Sequence, residues 1–277
     1  MSRTEIGGRR RGALRFFLAS LLALPLAFGN ASKAVAGPPF LTDDPQPIDY
    51  KHYELYLFTT MDKSPDGKVV NVPAIEYNIG AMPNVHVHFV LPYTFSSPTG
   101  MPTVSGLGDA EFGVKLRFVQ EVKGTPQIGI FPMVELPTGN ATNGLGNGRA
   151  WFRLPIWAQK SEGPWTTYGG GGYAINTAPG MKNYPFAGWL IQRDIGSYLT
   201  LGGELFSQGP SSVGGLHSTY YNLGGYIKPS DRFNILFSLG HTISGTSHAV
   251  GYLALYWTGG PAEKKEEPSP DKPPAKP

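Results

Sequence analysis

Cysteine is absent from the 277 residues, which excludes disulfides, thiolate zinc sites and a cysteine nucleophile. Charge is scarce. Asp, Glu, Lys and Arg make up 16% of the chain, against ~25% in an average soluble domain. Long apolar runs are missing too: beyond residue 36 none reaches 18 residues, so a membrane role there cannot be carried by a helix and must fall to strands. What is plentiful is glycine, 37 residues, and proline, 26 residues. These are the two poorest residues for a helix interior, so a helical bundle or coiled coil is disfavoured. With 40% hydrophobic and 12% aromatic residues, disorder throughout is disfavoured as well.

The formal charge of +3 overstates the basic character. Six of the 23 Lys and Arg but only one of the 20 Asp and Glu lie in the first 36 residues, leaving 17 basic against 19 acidic residues. Nothing in that balance points to nucleic acid. The first segment itself has the layout of a secretory signal: Arg9, Arg10, Arg11 and Arg15, an apolar stretch from Phe16 to Phe28, and Ala34-Val35-Ala36 for cleavage. The expected division is a cleaved signal peptide at 1–36, an extended segment at 37–50 able to fold back as a plug, a barrel over 51–258 and a disordered Pro-rich tail at 259–277. The segment Gly37 to Tyr50 has four prolines and no alternation, and Pro261 to Pro277 has six prolines with four acidic and four basic residues.

Between these flanks the pattern is strict period two. Ala110, Phe112, Val114, Leu116 and Phe118 share one face, against Asp109, Glu111, Gly113, Lys115 and Arg117. About twelve such segments can be counted, near 51–60, 69–79, 85–94, 108–119, 126–136, 149–159, 165–175, 185–192, 198–206, 218–227, 233–240 and 249–258. Their length suits a tilted transmembrane strand. Short connections (Gly80 to Asn84, Gln120 to Thr125, Lys160 to Pro164, Arg193 to Ser197, Lys228 to Arg232) alternate with longer ones (Met61 to Lys68, Phe95 to Leu107, Pro137 to Gly148, Asn176 to Tyr184, Ser207 to His217, His241 to His248). Short periplasmic turns and longer external loops on opposite rims are the mark of an outer-membrane barrel. The predicted fold is all-β, an antiparallel up-and-down transmembrane barrel of about twelve strands, closed because lipid cannot satisfy a free sheet edge.

By parity the lumen receives Asp109, Glu111, Lys115, Arg117, Glu135, Arg149, Arg153 and Glu204, candidates for a selective constriction or for ion pairs that fill a narrow bore. Tyr93, Trp165, Tyr184, Trp189 and Tyr221 are candidates for interfacial girdles. His86 and His88 share a strand face without a third ligand, so no metal or cofactor is expected. The pairs His217-Ser218 and Ser247-His248 are sequence neighbours pointing to opposite faces, which argues against a Ser-His hydrolase. The last strand, ending in Leu253, Leu255 and Trp257, is similar to the signal read by the barrel-assembly machinery. Expected partners are that machinery, outer-membrane lipids and a small-molecule solute, with no nucleic acid.

The segments FLTDDPQPIDYKHYELYLF, PAIEYNIGAMPNVHVHFVLPY, GLGDAEFGVKLRF, PQIGIFPMVELPTG, LIQRDIGSYLTLGGELF and FNILFSLGHTI resemble those of the bacterial family named for the MetA pathway of phenol degradation, an outer-membrane β-barrel transporter family. Its most specific pieces here are Gly106-Leu107-Gly108-Asp109 and Leu136-Pro137-Thr138-Gly139. The resemblance covers nearly all of the chain after the signal and implies a porin-like channel for small solutes, aromatic or amphipathic compounds among them, with no catalytic motif. Beside it stand a structural or surface-binding barrel without transport, an outer-membrane lipase-type enzyme and a soluble periplasmic binding barrel.

Overall fold

The structure, a computed structural model, describes residues 38–261. The expected signal peptide and all but the first residues of the Pro-rich tail lie outside the described residues. Fourteen strand segments form one antiparallel sheet: β1 (Tyr53–Ser64), β2 (Gly67–Met82), β3 (Val85–Pro98), β4 (Val104–Leu107), β5 (Ala110–Val119), β6 (Gln127–Ile130), β7 (Met133–Leu136), β8 (Trp151–Glu162), β9 (Trp165–Ile175), β10 (Tyr184–Ile195), β11 (Leu199–Gln208), β12 (Ser218–Ser230), β13 (Phe233–Ser244) and β14 (Ala249–Gly259). β1 pairs with β14 from Tyr53↔Gly259 to Lys63↔Ala249, so the sheet closes on itself. β4 and β5 are two parts of one strand along β3; β6 and β7 are two parts of one strand between β5 and β8. The result is the expected barrel of twelve antiparallel strands.

Alternation sorts the residues between the two faces. Outward positions carry exposed apolar side chains, such as Leu57, Ile75, Phe89, Phe112, Ile156, Ile191, Leu205, Leu223, Leu239 and Leu253. Inward positions carry buried polar ones, including Gln159, Gln192, Thr200, Asn222 and Ser238. A barrel in water would have this arrangement reversed, because a continuous apolar outer belt needs lipid against it. The soluble-barrel alternative is inconsistent with that distribution.

Four expectations are corrected. Met61 to Lys68 is not a long loop: β1 and β2 run on to a tight hairpin with Pro65 and Asp66 at its tip, paired as far as Ser64↔Gly67. The strand expected at 126–136 is broken at Phe131-Pro132, since proline has no N–H for the ladder. The strand expected from 149 begins at Trp151, which leaves Arg149 exposed in the preceding loop. Tyr184 is buried inside the barrel, not at an outer girdle. Among the other girdle candidates, Trp165 starts β9 at the short-turn rim. That rim also carries Phe233 packed on Trp257 at 5.2 Å and Tyr53 stacked on Tyr77 at 6.0 Å.

Candidate functional site

An even number of strands brings Tyr53 and Gly259 to the same rim, and the chain before β1 turns into the lumen from there. Eight strands can be filled by side chains alone and sixteen leave a wide channel. Twelve leave room for a strip of main chain, and residues 38–48 occupy it. Four prolines stiffen this segment and supply no N–H, the Asp44 and Gln46 amides are met within it by Asp43 and Asp44, and several of its other polar groups are met by inward side chains on opposite walls. The Ile48 amide donates to His86 Nδ1 at 3.2 Å on β3. Gln127 Nε2 on β6 donates to Gln46 Oε1 at 3.2 Å. Lys115 on β5 binds Asp43 at 2.9 Å and Asp44 at 3.2 Å. Across the bore, the Leu41 and Thr42 amides both donate to the Glu204 carboxylate on β11, which also accepts from Asn222. Tyr226 donates to the Pro38 carbonyl at 2.9 Å and Ser238 to the Pro39 carbonyl at 2.6 Å. Phe40 packs against Tyr168 and Leu190.

Two glycines show how close the approach is. A Cβ at Gly188 on β10 would collide with Thr42 Oγ1, and one at Gly129 on β6 would lie 3.1 Å from the Pro45 carbonyl oxygen. Thr42 and Asp44 are fully buried. Burial pushes the Asp44 carboxyl up to about 8, with the Lys115 ammonium pulling the other way.

The lower wall carries a tyrosine cluster of its own, Tyr56, Tyr226 and Tyr256 with Leu236 and Ala254; toward the long-loop rim a larger one lines the bore. Phe131, Met133, Trp157, Ala174, Tyr184, Phe186, Phe206 and Tyr220 form a buried aromatic cluster on the inner wall, with Trp151 and Val250 against it. Phe186 lies 6.2 Å from Trp157 and stacks on Phe206 at 6.1 Å. Beside it sits a polar chain: His88 Nδ1 is 2.6 Å from Asn78 and its Nε2 3.0 Å from Glu111, while Glu111 is also paired with Arg153. Arg153 stacks over Trp151 at 5.6 Å. His86 and His88 therefore point inward, one held by the Ile48 amide and the other between carboxylate and amide groups. No metal-binding group of three or more ligands occurs among the described residues.

The eight expected lumen residues are thus not one constriction. Lys115 and Glu204 hold residues 41–44; Glu111 and Arg153 pair above, with Glu135 beside them on β7 opposite Glu111. Arg117 belongs to the short-turn rim, where it donates to Asn84 and Gln127. Arg149 reaches the Thr177 carbonyl in a neighbouring loop at 3.3 Å. Asp109 lies at the break between β4 and β5 and anchors the loop 137–150: it accepts from the Gly139 amide at 2.8 Å and the Asn147 amide at 2.6 Å. Thr138 completes the clasp, accepting from the Ala110 amide at 2.8 Å and donating to the Gly108 carbonyl at 2.9 Å. The two most specific sequence pieces, around Gly108-Asp109 and Thr138-Gly139, therefore form one hydrogen-bonded unit. It places buried Leu145 against the inward face of Gly106.

At the same rim Ser247 Oγ is 3.4 Å from His241 Nε2, whereas Asp62 pairs with His248 at 2.7 Å. His241 Nδ1 faces the Thr242 carbonyl. Serine, histidine and carboxylate are split between two pairs, so the relay needed to activate a hydroxyl is not assembled.

No protein-family profile and no curated protein matches the sequence. Among solved structures, an outer-membrane channel from Pseudomonas putida F1 superposes with a TM-score of 0.63 at 14% identity, over 78% of this chain and 98% of that one. The translocator domain of the autotransporter NalP from Neisseria meningitidis gives a TM-score of 0.51 at 11% identity, over 76% of this chain and 90% of that domain. The fold is that of an outer-membrane β-barrel. At these identities the likeness is one of architecture.

Proposed function

We propose that the chain is an outer-membrane channel for small amphipathic solutes, aromatic compounds included, in which residues 38–48 act as a plug that limits passage. The observation that carries this reading is the division of the lumen. An aromatic wall lies toward the mouth, and below it a strip of main chain is held by hydrogen bonds and ion pairs, which can be exchanged for water or solute without breaking the wall. The architecture shared with the Pseudomonas putida F1 channel supports it, as does the sequence resemblance to the family named for the MetA pathway of phenol degradation. On this reading a signal peptide delivers the chain for secretion, the barrel-assembly machinery inserts it through its last strand, lipids surround it, and the longer loops face the exterior.

The test has two parts. Full-length protein in the outer-membrane fraction should migrate faster on a gel before boiling than after, and a protease-cleavable epitope at residues 140–147 should be cut on intact cells while one at 231–232 is protected. In liposomes the protein should pass small aromatic solutes faster than sugars of similar mass. Cleavage only at 231–232 overturns the orientation; a folded barrel that passes nothing, with or without residues 38–48, overturns transport. The second reading, a structural or surface-binding barrel, draws on the filling of the lower lumen and would then stand.

A further inference from the structure

The hairpin at Pro65-Asp66 places two like charges face to face. Lys63 on β1 and Lys68 on β2 are directly paired in register, and Lys68 is in turn opposite Ser97 on β3. Both lysines are exposed and fall on the outward side, continuing the face of Leu55 and Leu57 on β1. Directly opposed like charges destabilise a sheet. Three lysines elsewhere have acids, Lys115 with Asp43 and Asp44, Lys160 with Glu121 and Lys228 with Asp194, whereas Lys51, Lys123 and Lys182 are single cations with no second lysine paired opposite them. Among the described residues neither Lys63 nor Lys68 forms an ion pair, Asp66 in the adjacent turn included.

Around the two ammonium groups lies a groove of about 570 Å³ lined by Met61, Lys63, Gly67, Lys68, Ser97 and Thr99. The hydroxyls of Ser97 and Thr99 lie at its edge, bonded at 2.9 Å to Thr103 and at 2.8 Å to the Pro65 carbonyl. One step down the same outward face come Met61, Val70 and Phe95, again in register across the three strands. The patch is therefore cationic and hydroxylated at the rim and apolar just below it. That sequence of chemistries matches an amphiphile whose anionic head sits above its chains.

We propose that this groove holds the phosphorylated headgroup of a membrane lipid in the leaflet that meets the long-loop rim. The two lysines bridge the phosphate as point charges, and the acyl chains lie along Met61, Val70 and Phe95. The lipid anion relieves the Lys63–Lys68 repulsion and fixes the depth of the first hairpin in the membrane. The inference rests on the reading of the chain as an outer-membrane barrel with its longer loops outside.

Full-length protein folded in phosphatidylcholine vesicles, with and without diphosphoryl lipid A, provides the test, read as the temperature at which fast, unboiled migration is lost. Lipid A should raise that midpoint by about 3 °C, the size expected for a modest binding energy in a domain of this length. The double variant Lys63→Gln/Lys68→Gln should fold and lose the shift. Lys63→Arg/Lys68→Arg should keep it, as should Lys123→Gln at the opposite rim. An equal shift in the double glutamine variant overturns the proposal. So does an equal shift with dephosphorylated lipid A, or with inorganic phosphate alone. A wild-type protein that never shows heat-modifiable migration overturns the barrel reading itself; one that shows it but ignores lipid A overturns only this inference.

Discussion

The lower and upper halves of the lumen solve different problems with inward side chains drawn from the same strands. In the lower half the partners belong to residues 38–48: Glu204, Tyr226 and Ser238 meet main-chain groups, and Lys115 meets the Asp43 and Asp44 carboxylates. In the upper half the partners are other side chains, mostly aromatic. Bonds to main chain hold a segment without reading its side chains, whereas an aromatic wall discriminates by shape and polarity. On the proposed reading the lower half closes the bore and the upper half chooses what enters it.

The largest effect that can separate the two functions is removal of the lower partner. Deleting residues 38–48 should turn small or gated conductance into a large, steady one in planar bilayers, while the barrel still migrates anomalously before boiling. Unchanged conductance with an intact barrel would mean that the lower half is not the barrier. Next in size is Glu204→Gln, which keeps one carbonyl acceptor but removes the charge that receives two amides. It should weaken seating of the segment by about 2 kcal/mol, the value of a charge-assisted bond, seen as a roughly thirtyfold rise in open events. Gly188→Ala should act in the same direction because its Cβ claims the space of Thr42 Oγ1.

A smaller effect should fall on the upper half alone. Phe186→Ala removes a ring between Trp157 and Phe206, an aromatic contribution of about 0.5–1.5 kcal/mol. Flux of aromatic solutes in liposomes should drop roughly threefold to tenfold relative to aliphatic ones, with the frequency of opening unchanged. If Phe186→Ala instead opens the channel, the two halves are coupled and the division of labour fails.

The halves were also unequally legible in the sequence. Period-two alternation in segments such as 110–118 marks the strands directly, because every second residue must face lipid, and so the twelve-strand barrel could be read from residues alone. Parity likewise places Glu111, Lys115, Arg153 and Glu204 inside. It cannot say which partner each one meets, since Lys115 finds Asp43 and Asp44 more than 70 positions away and Glu204 finds Leu41 and Thr42 more than 160 away. Parity also fails where the chain leaves the strand. Asp109 sits at a break and serves a loop, and Arg149 lies before its strand begins. The proline in Phe131-Pro132 was the available signal for the second break. The hairpin at Pro65-Asp66 was obscured because Asp62, Lys63 and Lys68 look like loop residues, although here they line strand ends at a polar rim.

A last handle on the lower half, one that needs no substitution, is a proton. Asp44 is fully buried, and burial raises its carboxyl from the ordinary carboxylate range to about 8 despite Lys115. A carboxyl whose affinity for protons is higher when the segment is seated takes up a proton on seating. Its contribution to seating is therefore full below the ordinary carboxylate value, near pH 4, and is lost as pH rises through about 8. Conductance of the intact channel should accordingly increase as pH is raised from about 5 to 9. The Lys115 ion pair, which favours the ionised form, works against burial without reversing the direction of the change. Asp44→Asn, neutral at every pH, should flatten the profile at its low-pH level, whereas Phe186→Ala should leave the slope as it is. A profile that falls with rising pH, or one that survives in Asp44→Asn, would remove Asp44 from the account of how the segment is held.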